Sequence, residues 1–182
     1  MNNMNIEITT FKRAQEITGG VAKTSKLDTC SSNLSAFDCK TGSRLALIPG
    51  SVCFDCYARK GNYRFSNVKK ALQRRTKLIS DNNWVKAWVF ILNHKKRITQ
   101  SGLFRHFDSG DLQSKEHLEK IIEVARQTPK INHWLPTKES VLIKNFKGDV
   151  PKNLLIRLSG SMINGKPPKY AHTSTVTTNP DK

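Results

Sequence analysis

The chain has 182 residues, 37% hydrophobic and 25% charged, which suits one folded domain with a real core and excludes a disordered tail. Its 31 Lys and Arg against 14 Asp and Glu leave a formal charge of +17, a balance that favours nucleic acid as partner over an acidic protein or a merely solvated surface. No basic-then-apolar leader follows Met1, and the longest apolar run, about residues 84–92, is broken by Lys86, so a cytoplasmic protein with no membrane partner and reduced thiols is expected.

Residues 1–29 carry weak periodicity and a Gly19-Gly20 break, and read as a short strand or arm followed by loop. Residues 30–62 are rich in Cys, Gly, Ser and Pro; so long a loop in a compact domain needs an organiser, and a bound metal would serve. All four cysteines lie here, Cys30, Cys39, Cys53 and Cys56, spaced C-x8-C-x13-C-x2-C. The Cys53–Cys56 pair lets two thiolates reach one metal from a single tight turn. Zinc held by four thiolates, an iron–sulfur cluster, and redox or non-ligand cysteines all stay open on spacing alone. A redox C-x-x-C belongs at a strand-to-helix junction, whereas this one sits in a loop.

From Asn67 the pattern turns helical, with Val68, Ala71, Leu72, Thr76 and Ile79 as a narrow apolar stripe. Around it lies the densest basic run of the chain: Arg59, Lys60, Arg64, Lys69, Lys70, Arg74, Arg75 and Lys77, without an acid among them. With Tyr57 and Tyr63 alongside, the run suits stacking plus phosphate contact and is the expected nucleic-acid footprint; packing around the metal loop is the plainer role for the tyrosines. A second helix is expected from Trp84 to about Arg97.

Strand and helix then alternate. Leu103–Phe107 reads as a strand, 114–127 as a helix, Ile131–Leu135 as a strand, a short helix follows near Val141, and Leu154–Leu158 is a third strand. That alternation predicts right-handed βαβ units and a parallel sheet: an α/β fold, a small or partial (β/α) barrel with a Cys-rich metal-binding N-terminal loop. The domain is expected over 30–164, with an extended tail over 165–182. In parallel α/β proteins the loops beyond the strand ends line the site. The catalytic candidates are therefore Asp108, Ser109, Asp111, Lys138 and Glu139, and the cofactor-binding candidates Ser159 and Gly160; capping of the next helix is the plainer role for the aspartates. His106 and His133 are expected as packed core residues, His94 and His117 as exposed helix positions.

Three blocks carry a resemblance. Residues 34–63, including Cys39-Lys40-Thr41-Gly42-Ser43 and Pro49-Gly50-Ser51-Val52-Cys53-Phe54-Asp55-Cys56-Tyr57-Ala58-Arg59, together with 105–113 (RHFDSGDLQ) and 133–139 (HWLPTKE), resemble the phage gene-product-88 family. The resemblance covers about residues 23–176 and implies a phage setting, hence host cytoplasm. It also implies a further Cys-rich segment beyond Lys182. A more distant likeness is to radical SAM enzymes, which implies a [4Fe–4S] cluster on Cys39, Cys53 and Cys56, S-adenosylmethionine as cofactor, and modification of nucleic acid or its bases. The spacing departs from that superfamily's C-x3-C-x2-C, and a fourth ligand at Cys30 would close the cluster. A four-cysteine zinc module that grips nucleic acid without chemistry, and a phage effector that binds a host protein, are the alternatives.

Overall fold

The structure is a computed structural model and describes residues 7–23 and 27–179; the portions of the expected arm and tail at 1–6, 24–26 and 180–182 lie outside the described residues. The arm is not simply extended. Thr10 accepts from the backbone N–H of Arg13 and Gly19, at φ 78°, closes the other end, so α1 (Phe11–Thr18) forms between them. Eight residues with two buried apolar side chains, Ala14 and Ile17, make little helix alone, and packing on a later helix stabilises this one.

Strands β1 (Ala22–Lys23) and β2 (Cys30–Ser32) follow, antiparallel to each other. The Cys-rich stretch then carries α2 (Lys40–Leu45) and two single-turn 3-10 helices, Tyr57–Arg59 and Gly61–Arg64. Helix α3 (Ser66–Leu78) buries only Leu72 of the expected stripe, leaving Val68, Thr76 and Ile79 half-buried and Ala71 exposed. The helix expected over 84–97 is two: α4 (Trp84–His94) and α5 (Lys96–Ser101), with extended backbone at Lys95 between them. Next come β3 (Leu103–His106), α6 (Lys115–Gln127), β4 (Asn132–Thr137), α7 (Ser140–Asn145), β5 (Leu154–Ile163) and β6 (Thr173–Val176). Ser114 caps α6 by accepting from the His117 N–H, so neither Asp108 nor Asp111 does so.

The six strands lie in chain order, β1 to β6, and every pair from β2 onward is parallel. The expected α/β architecture with a mostly parallel sheet is present, and the pairings define an open sheet with β1 and β6 as its edges. The tail contributes β6, which the unpatterned Thr and Ser residues did not announce. No described helix is long and apolar enough to cross a membrane.

One face of the sheet carries Phe104, Leu135, Leu154, Ile156 and Leu158, and these merge with Ala14, Ile17, Trp84, Trp88, Ile91, Leu92, Leu118, Ile121 and Ile143 into the core. The expectation for two histidines holds: His106 and His133 are buried on this face, rings stacked 5.3 Å apart. His117 departs from it. The side chain is buried between Trp84 and Phe107, each 5.6 Å away, because position 117 belongs to the inner stripe of α6 together with Leu118 and Ile121. His94 is exposed and stacks on Phe90.

Candidate metal centre

The loop after β2 is tied to the carboxyl ends of the strands at three places. Leu34 donates to the carbonyl of Ser109 at 2.9 Å and the Ser109 hydroxyl returns a bond to Leu34 at 3.0 Å. Gly110 stands against Leu34 at φ +83°, where a Cβ would lie 2.5 Å from the Leu34 side chain, so no other residue fits. Glu139, just past β4, accepts from the backbone N–H and the hydroxyl of Thr41 at 2.8 and 2.9 Å. Gly50–Val52 zip onto the end of β5 through Ile163 N–H to Gly50 O at 3.0 Å and Val52 N–H to Ser161 O at 2.9 Å. Cys39 precedes α2, and Cys53 and Cys56 follow the zipped segment, so the fixings bring these three to the same rim.

The thiols sense one another there. Cys39 is pushed up to about 12 by burial first, then by the Asp111 carboxylate and by Cys56 and Cys53. Burial also raises Cys53, against the pull of the Lys138 ammonium. Burial lowers Lys138 in turn, while Cys53, Asp111 and Cys56 hold it up, and its Nζ donates to Gly160 O at 2.6 Å. Gly42 lets the cluster close: a Cβ there would sit 3.0 Å from Cys39 Cβ, 3.6 Å from Cys39 Sγ and 3.7 Å from Cys53 Sγ. Among the described residues no three Cys, His, Asp or Glu side chains are placed to share a single ion.

Cys30 is elsewhere. It occupies the first position of β2, on the helix-covered face, paired with Phe104, and belongs to the core. Its charged neighbours are Lys95 and Arg97, which precede β3 at the amino end of the sheet. A loop position in sequence has become a strand position in space, and the strand carries its thiol away from the other three.

The expected catalytic and cofactor residues divide. Asp111 is buried, and its carboxylate accepts from Thr137 Oγ1 at 2.5 Å, Lys138 N–H at 2.9 Å and Leu112 N–H at 2.7 Å. Burial outweighs those bonds and raises it to about 6. Asp108 pairs with Arg105 at 3.4 Å, and its carbonyl takes the Tyr57 hydroxyl. Ser109 braces Leu34. Ser159 and Gly160 are not in a loop: β5 continues through them, Ser174 Oγ donates to Ser159 Oγ at 3.4 Å, and Gly160 lies against the Ser174 backbone. Asp111, Lys138 and Gly160 therefore meet beside the thiols, Glu139 positions their loop, and Asp108, Ser109 and Ser159 hold structure around them.

The basic run divides as well. Arg59 donates to Ala36 O at 3.2 and 3.1 Å and to the Ser43 hydroxyl, with its guanidinium 5.3 Å from the Phe37 ring. Lys60 pairs with Asp55, Lys69 lies over Phe37, Arg74 donates to Glu16 O and Arg75 to Gly19 O. Arg64, Lys70 and Lys77 are exposed.

No curated protein and no solved structure shows significant similarity to the chain. A family model described as gene product 88 matches residues 4–180, nearly the whole length, including the thiol loop, the Asp108–Asp111 turn and the end of β4. The chain belongs to the gene product 88 family.

Proposed function

We propose that this is an iron–sulfur protein that acts on nucleic acid, with Cys39, Cys53 and Cys56 as the cluster ligands and Cys30 as a core residue. The observation that carries the reading is the meeting of three thiols beside Lys138 at the carboxyl end of a parallel sheet, while the fourth lies at the other end. A single zinc ion, with Zn–S bonds of about 2.3 Å, needs its thiolates within roughly 4 Å of one another. Among the described residues no three donors stand so placed for a single ion of any kind. A cluster takes each thiolate on a different iron and accepts a wider set. The position of Cys30 in the core disfavours the four-thiolate zinc module.

Three protein thiolates leave one iron of a [4Fe–4S] cluster free, and that position would hold S-adenosylmethionine in a radical-SAM-like modification of nucleic acid or its bases. In this reading the sheet is the wall of a partial barrel. The Lys138 ammonium offsets thiolate charge, Asp111 fixes the Lys138 backbone, and Glu139 fixes the start of α2 and with it Cys39. The raised Cys39 and Cys53 thiols must lose protons as metal enters, so loading strengthens with rising pH. The charge of +17 and exposed Arg64, Lys70 and Lys77 support the nucleic-acid partner.

Anaerobic reconstitution with iron and sulfide, followed by metal analysis and visible absorption, tests the centre. About four irons per chain and a broad band near 400 nm are expected for a [4Fe–4S] cluster. One zinc per chain, or no metal, overturns the reading.

A further inference from the structure

The sheet has a second face, which the core helices do not use. The registers place Arg105 of β3 beside Trp134 of β4 and Trp134 beside Leu155 of β5, so Arg157 shares that face two residues on. The Arg105 guanidinium lies 4.8 Å from the Trp134 ring centre. Among the described residues four buried side-chain polar atoms lack a hydrogen-bond partner, and three are here: Arg105 Nε, Trp134 Nε1 and Arg157 Nε; the fourth, Trp88 Nε1, is on the helix side. All three are donors, two are cationic, and buried donors are rarely left without an acceptor in native proteins. Arg105 meets one carboxylate, Asp108, at 3.4 Å, and no carboxylate pairs with Arg157 among the described residues.

We propose that this face binds a phosphate group of a nucleotide, held between Arg105 and Arg157 with the Trp134 N–H as a third donor. The two arginines stand on strands separated only by β4 and two residues apart in register, roughly 12 Å apart at the backbone, a span that two long side chains close over one group. Guanidinium forks match the several acceptor oxygens of a phosphate, and a phosphate brings the charge that the chain lacks. Lys138 follows Trp134 and Pro136 on the same side of β4, about one side-chain step of roughly 7 Å beyond the Pro136–Arg157 rung. A nucleotide held by its phosphate on this face would therefore extend toward the thiol rim. The inference needs no metal and stands whether or not the thiols hold a cluster.

The phosphate belongs either to a free nucleotide or to a nucleic-acid strand, and calorimetric titration of the purified full-length protein separates the two. The probes are inorganic phosphate, thymidine 5′-monophosphate, thymidine and a ten-residue oligothymidylate. Saturable binding of phosphate or the monophosphate but not of thymidine marks a free-nucleotide site. Saturation by the oligonucleotide alone marks a strand phosphate. In both cases Arg157→Gln should weaken binding at least tenfold, Arg105→Gln should do likewise, and Trp134→Phe, which loses only the third, neutral donor, should weaken it less. Circular dichroism melts check that the variants fold; should Arg157→Gln fail to fold, Arg157→Lys keeps the charge, loses the fork, and should still weaken binding. The proposal is overturned if no phosphate-bearing probe saturates the protein, or if the folded arginine variants bind as tightly as the parent.

Discussion

Glu139 holds Thr41 by two bonds, one to its backbone N–H at 2.8 Å and one from its hydroxyl at 2.9 Å, across 98 residues of sequence. Thr41 is two residues past Cys39, so the carboxyl end of β4 sets where the first thiol of the rim stands. Glu139→Ala should lower stability by about 1–3 kcal/mol through the unpaired donors and speed metal loss during dialysis. Glu139→Gln keeps an acceptor for the N–H and a donor for the hydroxyl oxygen, and should behave nearly as the parent. Equal metal retention by all three proteins would show that this tie does not position Cys39.

The cysteines should separate three to one. Cys39→Ser, Cys53→Ser and Cys56→Ser should each abolish or sharply reduce bound metal. Cys30→Ser should keep it and instead lower the melting temperature, by burying a hydroxyl in the core at a cost of about 1–3 kcal/mol. Metal analysis beside thermal melts of the four variants checks the split, and loss of metal in Cys30→Ser would restore the four-thiolate site.

Stability should fall in mild acid. Thr128 Oγ1 donates to Val124 O at 2.7 Å and so accepts from His133 Nε2 at 2.8 Å, which leaves His133 Nδ1 to accept from His106 Nε2 at 3.0 Å. A proton on His133 Nδ1 would set two N–H groups against each other. Burial holds His133 down at about 4 and His117 at about 3, and lowers His106 well below the ordinary value, with His133 and His117 adding to its shift. These groups are depressed on folding, so their contribution is complete above the unfolded value near 6.5 and is lost as pH falls from there toward 4 and below. Asp111, raised to about 6, works the other way over roughly pH 6 to 4, but it is one group against three. Urea midpoints measured from pH 7.5 to 4.5 should decline, and His117→Phe should flatten the decline. A flat profile in the parent would contradict the buried neutral histidines.

Within the basic run of residues 59–77, the solvent-facing cations should carry the nucleic-acid contact. Changing Arg64, Lys70 and Lys77 together to Gln should weaken oligonucleotide binding across sequences and flatten the slope of log K against log salt by about three contacts' worth. Arg59 and Arg75 variants should instead destabilise the protein, since both hold backbone carbonyls. Fluorescence anisotropy at several salt concentrations reads the first effect and thermal melts the second; an unchanged slope in the triple variant would remove this surface from the interface.

Elements whose apolar spacing announces burial were legible without coordinates: β3, β4, the first half of β5, α6 and the Trp-bearing α4 all lie near their expected places. So did the parallel sheet, because strand–helix alternation at short spacing leaves few other arrangements. The short elements α1, β1, β2 and β6 were not legible, since they are stabilised by what they pack against or pair with rather than by their own pattern. Chain order put four cysteines in one window and eight cations in one run. Tertiary structure separated them, sending Cys30 into the core through its strand register and turning Arg59 and Arg75 inward onto backbone carbonyls, while Arg105, Trp134 and Arg157 met across three strands that are far apart in sequence. Composition, spacing and periodicity are local quantities and specify which groups are available. Which of them share a rim or a face depends on strand register and on the few long-range hydrogen bonds that hold the loops, and only the folded chain contains those.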